Sequence, residues 1–323
     1  MRAFAIFFIV CAHIYPSKGI CPIMVKNISL YYYYISHVGV FCFFAISGYL
    51  LGYNERSFSD FLKRKIKYII LPWFVTGSLN FIWFYFRKNS FNINVFSDYI
   101  LYLLGVRNYL WYMSVLMIFY LFFLFFNKNV YVLFASLVLS LLSFVFVGKW
   151  YYVVEGWGGQ YLNFLNYYPA FLVGYLICLY KNKILLLGGV LVKHYVLCNL
   201  TSLILFNIFT VILFYKNIKI EYWSILVLPY AFVAIFMIVS LSLLFQQNQI
   251  LNTIGVNSFS IYLLHMPVAG IIVNVFNHFD NAILMLIRPF VVLIIVQCFL
   301  ILFKKITKMT KYEKILNMAI GMR

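Results

Sequence analysis

The chain has 323 residues, 65% of them hydrophobic and only 10% charged. A soluble domain carries nearer a quarter charged residues, so this composition excludes one and points to an all-α integral membrane protein with several crossings. The formal net charge of +18 does not mark a nucleic-acid binder. The Lys and Arg lie in short loops between apolar runs, where positive-inside topology accounts for them.

Apolar runs predict about ten transmembrane helices, near 3–17, 31–53, 68–86, 108–126, 130–147, 162–180, 194–215, 222–245, 257–277 and 282–303. The first is short for a crossing, which normally takes about 20 residues. It resembles a signal peptide in length, but no small-x-small cleavage site follows, and Val10 before Cys11 does not suit a lipoprotein signal. Residues 184–192, containing Gly188-Gly189, read as an interfacial piece ahead of the seventh span. The Tyr31–Tyr34 run reads as an interfacial belt, and the longest polar outer loops fall near 18–30, 87–107 and 148–161.

With the N-terminus inside, the inner basic set is Arg2, Arg56, Lys63, Arg64, Lys65, Lys67, Lys128, Lys181, Lys183, Lys193 and the tail Lys304 to Arg323. That places both densest basic clusters, and about 16 of the 25 basic residues, on the cytoplasmic side together with both termini. The tail mixes Lys with Ile, Met and Leu and is expected to lie along the anionic inner leaflet. No large polar segment is present, so residues 1–323 read as a single membrane domain.

Three stretches carry chemistry. The first is Arg2-Ala-Phe-Ala-Ile-Phe-Phe-Ile-Val-Cys-Ala-His13. Eleven helical steps leave Arg2 and His13 roughly 20° apart in azimuth and roughly 16 Å apart along the axis. An ionisable group at that depth needs a partner, a watery cavity or a function. A neutral imidazole moves a proton to and from a hydroxyl, and an arginine binds an anion such as a phosphate. The plainer readings are a buried histidine bonded to a carbonyl and a charge that sets topology.

The second stretch is Gly39-Val-Phe-Cys-Phe-Phe-Ala-Ile-Ser47-Gly48-Tyr49, followed by the basic block Lys63–Lys67 and by Pro72. Ser47-Gly48 inside a span usually means close helix packing. The block is either a translocation stop or an electropositive mouth for a polyanionic cofactor, with Lys63, Arg64 and Lys67 in contact with it. Pro72 is expected at the turn into the third span. The third stretch is Ser258-Phe-Ser-Ile-Tyr262-Leu-Leu-His265-Met-Pro267, where Tyr262 and His265 are neighbours on one helix surface. They suit either a cavity or an interhelical hydrogen-bonding pair.

Glu155 is a weaker candidate, an outer carboxylate able to orient an acceptor sugar, whereas His37, His194, His278, Asp98 and Asp280 fall near span ends, where solvation explains them. There is no Walker-type loop, no Gly-x-Ser-x-Gly elbow and no metal-ligand spacing, and six scattered cysteines without a CxxC indicate neither a disulfide framework nor a zinc site.

In order along the chain, Arg2-x10-His13, Phe43-Phe44-x-x-Ser47-Gly48-Tyr49, Phe61-x-x-Arg64-x-x-Lys67-x4-Pro72, Leu110-Trp111-Tyr112, Tyr168-Pro-Ala-Phe-Leu-Val-Gly174-Tyr and Ile261-Tyr-Leu-Leu-His265 resemble the acyltransferase-3 family. The resemblance implies a ten-helix enzyme of the bacterial cytoplasmic membrane that acylates sugars of surface glycans. It implies His13 as the catalytic histidine and Arg2 as its partner. Arg64 and Lys67, with Lys63 and Ser47, would hold acyl-coenzyme A, acetyl-coenzyme A being the expected donor, and Trp111, Tyr262, His265 and Glu155 would line the acceptor cavity. Two departures stand out. Lys67 replaces an arginine common in the family, and Met1 stands where an acidic residue usually shortly precedes the arginine. The expected partners are a glycan or lipid-linked glycan acceptor and membrane lipid, with neither metal nor nucleic acid. Two other classes fit a Tyr- and Phe-rich polytopic chain. One is a flippase or export component of polysaccharide assembly, and the other is a polymerase, which would carry larger, arginine-bearing outer loops.

Overall fold

A computed structural model describes residues 1–14, 22–53, 58–87, 94–106, 108–126, 129–154, 160–180, 195–276 and 281–322. The piece at 184–192, Glu155, His194, His278, Asp280 and the basic residues Arg56, Lys128, Lys181, Lys183, Lys193 and Arg323 lie outside the described residues. Within them the protein is all helix, with no strand. The helices are α1 (Arg2–Cys11), α2 (Ile23–Gly52), α3 (Phe58–Lys65), α4 (Leu71–Arg87), α5 (Val95–Leu103), α6 (Trp111–Phe126), α7 (Val130–Val154), α8 (Tyr168–Leu179), α9 (Tyr195–Tyr215), α10 (Val227–Leu244), α11 (Gln249–Val256), α12 (Ser258–Phe276), α13 (Ala282–Thr307) and α14 (Glu313–Ala319). Among the described residues, six helical stretches are long and apolar enough to cross a membrane, with the α3–α4 rod counted as one. Four further apolar helices, α1, α6, α8 and the Val130–Phe146 part of α7, are shorter.

The bundle is organised around α2, which begins at Ile23 rather than near 31 and packs against α1, α8, α9, α10 and α13. Small residues permit the closest of these approaches. A Cβ on Gly39 would stand 2.7 Å from the Ala5 carbonyl oxygen, and one on Gly174 would overlap the carbonyl of Ala45. Gly48 is pressed in the same way against the Phe171 carbonyl, so the close-packing reading of Ser47-Gly48 holds for the glycine.

The Tyr31–Tyr34 run is not a belt. Four consecutive helical residues point in about four directions at 100° each, and α2 is surrounded. Each hydroxyl therefore finds an inward partner: Tyr31 donates to Asn207 Oδ1 (2.9 Å), Tyr32 to the Leu286 carbonyl (2.7 Å), Tyr33 to the Ile220 carbonyl (2.8 Å) and Tyr34 to the Leu213 carbonyl (3.3 Å).

The prolines explain the main departures from regular helix. Pro72 does not turn the chain, because α3 runs into α4 through a π-helical turn at Ile66–Ile70. A proline cannot donate to the carbonyl four residues back and crowds it, and the wider turn absorbs that misfit. Pro267, inside α12, likewise leaves the Leu263 carbonyl without its helical donor. Tyr109 Oη (2.9 Å) and Asn80 Nδ2 (3.3 Å) supply the replacement. At the end of the same helix, buried Arg288 of α13 donates through Nη2 to the Phe276 carbonyl (3.0 Å), a cation on a helix C-terminus.

Two segments outside the expected spans contain helices, one read as a polar loop and the other as a basic tail along the inner leaflet. Within 87–107, α5 lies against α4, with Tyr99 and Tyr102 packed edge-on to Phe81 and the Tyr99 and Ser78 hydroxyls 2.7 Å apart. The basic tail folds back as α14, and Ile320 and Met322 beyond it are buried against the bundle.

Candidate active site

Helix α1 stops at Cys11, short of the expected span, and His13 sits in the turn that follows. The Ala12 and His13 amides bond three residues back, to Ile9 (3.1 Å) and Val10 (3.0 Å). That tightened turn advances each residue by about 120° instead of 100°, which carries His13 roughly 40° further round the axis, to roughly 60° from Arg2. Arg2 lines the outer cavities and His13 the inner chamber of one run of cavities.

The path consists of three cavities with shared walls. At one end a mouth of about 870 Å³ is lined by Arg2, Arg64, Lys65, Lys304 and Lys314, with Glu313 the one acidic residue on its wall. A narrow middle cavity of about 120 Å³ keeps Arg2 and Lys65 in its wall and adds Ser47, Tyr112 and Tyr262. Beyond it a chamber of about 370 Å³ shares Ile9, Tyr112 and Tyr262 with the middle cavity and contains His13. Of the basic block, Arg64 and Lys65 line the mouth, whereas Lys63 and Lys67 do not. Lys67 Nζ lies 5.5 Å from the Tyr68 ring, and Lys65 Nζ sits 3.6 Å from the ring of Tyr120. Ser47 is buried, with its hydroxyl 3.3 Å from that of Tyr112.

His13 and His265 stand with ring centroids 5.1 Å apart. His265 is fully buried, and its Nδ1 lies 2.6 Å from the Tyr262 carbonyl. A carbonyl only accepts, so Nδ1 carries the proton and Nε2 of the neutral ring holds the lone pair. That Nε2 is buried and has no hydrogen-bond partner among the described residues. The Tyr262 and His265 rings lie 5.9 Å apart without a hydrogen bond between their side chains. The Tyr262 hydroxyl instead donates to the carbonyl of Tyr109, and this bond ties α12 to the segment entering α6. Trp111 opens α6 on the chamber wall, stacked on Tyr161 (5.6 Å) and Tyr167 (5.0 Å).

His37 and Glu221 were not singled out by sequence, yet both line the chamber. His37 is buried rather than solvated. Its Nδ1 lies 2.8 Å from the Tyr33 carbonyl, and its Nε2 is 4.0 Å from Glu221 Oε2. The Tyr33 hydroxyl shares its one proton between the Ile220 carbonyl (2.8 Å) and the other Glu221 oxygen (3.0 Å). The available signal was the Tyr33-x3-His37 spacing on one helix face, combined with a carboxylate in the stretch Ile220-Glu221-Tyr222-Trp223. The chamber wall thus holds two histidines, His13 and His37, a carboxylate and an aromatic face, with the buried His265 ring 5.1 Å from that of His13, enough for proton transfer to and from a bound hydroxyl.

A sequence model described as an acyltransferase domain matches residues 1–303 of the chain. The chain belongs to the acyltransferase-3 family. No curated protein and no solved structure matches it. Membership, together with the apolar helices, makes the chain a multi-pass membrane protein of an acyltransferase family. The matched region contains α1, the α3 block and α12, and hence Arg2, His13, Arg64, Tyr262 and His265.

Proposed function

We propose that this protein is an O-acyltransferase of the bacterial cytoplasmic membrane. It moves an acyl group, acetyl first among candidates, from cytoplasmic acyl-coenzyme A to a hydroxyl of a cell-envelope glycan or its lipid-linked precursor. The observation that carries the reading is the run of three cavities from a basic mouth, through a constriction, to the chamber holding His13. Five cationic side chains at the mouth suit the phosphates of coenzyme A. The small middle cavity, about 120 Å³ between the mouth and the chamber, suits the thioester end of the pantetheine arm. The chamber, with Trp111 and its stacked tyrosines, offers a flat apolar wall of the kind a sugar face packs on. The concentration of lysine and arginine at the mouth supports a cytoplasmic position for it under the positive-inside rule, the side on which acyl-coenzyme A is found.

In this mechanism the imidazole of His13 takes the proton of the acceptor hydroxyl as its oxygen attacks the thioester carbonyl carbon. The oxyanion collapses, the C–S bond breaks, and the thiolate leaves with the proton returned from the imidazolium. The buried Nε2 of His265 stands beside this relay as a second acceptor. In the variant form of the step, His13 itself accepts the acyl group and then yields it to the hydroxyl.

The test is acetyl transfer to surface glycan, read by NMR in cells with and without the gene and with His13→Ala. Acetyl resonances present only with the active gene are expected. His13→Ala should abolish them while the protein stays in the membrane at normal amounts. Unchanged acetylation with an altered amount of glycan would instead identify an export or polymerase component.

A further inference from the structure

The matched family region ends at residue 303, yet the mouth cavity is walled in part by residues after it. Lys304 lies in the last turn of the long helix α13, and Lys314, Asn317 and Met322 come from the folded-back tail. The fold-back is held by specific contacts. Thr307 donates to Asn317 Oδ1 (3.0 Å), and the Met322 amide closes onto the Asn317 carbonyl (2.9 Å). Gly321 adopts φ +80° directly over Phe259, where an added Cβ would come within 2.8 Å of the ring. Only glycine takes that conformation and that proximity at low cost. Ile320 and Met322 are buried, whereas Ile315 and Tyr312 face outward and exposed. Lys304 and Lys314 thus line the same cavity as Arg64 and Lys65, while the other exposed residues of the tail mix Lys305, Lys308 and Lys311 with Tyr312 and Ile315.

We propose that residues 304–322 form one wall of the acyl-donor site. Lys304 and Lys314 pair with the phosphates of coenzyme A opposite Arg64 and Lys65. This rests on the donor assigned under the proposed function. The chemistry recognised is a cluster of phosphates held between two basic walls, one from α3 inside the matched region and one from the tail beyond it. Coenzyme A and an anionic lipid headgroup share that chemistry, and the argument for coenzyme A is placement. Lys304 and Lys314 line the mouth together with Arg2, which also lines the middle cavity next to the chamber of His13, whereas Lys305, Lys308 and Lys311 of the same tail line none of the three cavities.

The experiment measures binding of coenzyme A to the full-length protein in nanodiscs, once with neutral and once with partly anionic lipid. Lys304→Ala and Lys314→Ala should each weaken binding about three- to tenfold in both lipids, most at low salt. Lys314→Arg should retain most of the affinity. Lys311→Ala, which alters an exposed tail lysine outside the cavity wall, should bind as the parent does. A Lys304→Ala/Lys314→Ala double variant that stays monodisperse and binds coenzyme A like the parent would overturn the proposal. So would a loss seen only with anionic lipid, which would reassign the lysines to headgroups. Failure of the parent itself to bind coenzyme A would be a different result, removing the donor and with it the proposed function.

Discussion

The Leu263 carbonyl gives the sharpest test of how this structure is built. Pro267 removes its helical donor two residues beyond His265, and Tyr109 and Asn80 replace that donor from outside the helix. Tyr109→Phe deletes the 2.9 Å bond and also the acceptor for Asn80 Nδ2 at 2.6 Å, leaving Leu263 with a single long contact of 3.3 Å. A buried hydrogen bond is worth about 1 kcal/mol net, and an under-satisfied partner adds to its loss. Side-chain bonds in membrane proteins average somewhat less, about 0.6 kcal/mol. The expected cost is about 1–1.5 kcal/mol, roughly tenfold in the folded-to-unfolded ratio. Pro267→Ala returns an amide able to bond Leu263 from within the helix, so in that background Tyr109→Phe should cost about 0.5 kcal/mol or less, a coupling near 1 kcal/mol. Equilibrium unfolding of the four proteins in mixed detergent micelles reads the cycle directly. An equal cost of Tyr109→Phe in both backgrounds would refute the account of why that hydroxyl is there.

Other outcomes follow from the same contacts. Gly174→Ala pushes a Cβ into the rigid backbone at Ala45 and should destabilise by about 1–3 kcal/mol. Gly270→Ala meets nothing within 4 Å and should stabilise by about 0.5–1 kcal/mol through helix propensity alone; thermal unfolding in detergent compares the two. Glu221→Gln keeps a partner for Tyr33 but removes the negative charge facing His37, so acceptor turnover should fall about tenfold while the donor KM stays unchanged. A rise in donor KM instead would place Glu221 on the donor path.

Much of the protein was legible from local signals. Membrane class follows from the near absence of charge in runs of about 20 residues, since the bilayer enforces that composition on any spanning helix. The residue types at Arg2, His13, Arg64, Tyr262 and His265 were legible because ionisable and polar groups are costly in such runs and are rarely there without a role. Close packing at Gly48 was legible for a similar reason, as small residues are what let helix backbones approach.

The assembly was decided elsewhere. The sequence alone determined that this is a membrane protein with basic groups at one end of an apolar bundle and histidines within it, because those properties depend on composition and short spacings. Only tertiary structure decided that Arg2 lines the outer cavities and His13 the inner chamber of one run, that His37 faces Glu221, and that Lys304 and Lys314 turn back toward Arg64. The helical period says which side of a helix a residue takes, but not which of several neighbours that side meets. Those pairings arise from backbone approach at glycines and from proline-freed carbonyls seeking donors in distant parts of the chain, between residues as far apart as Asn80 and Leu263.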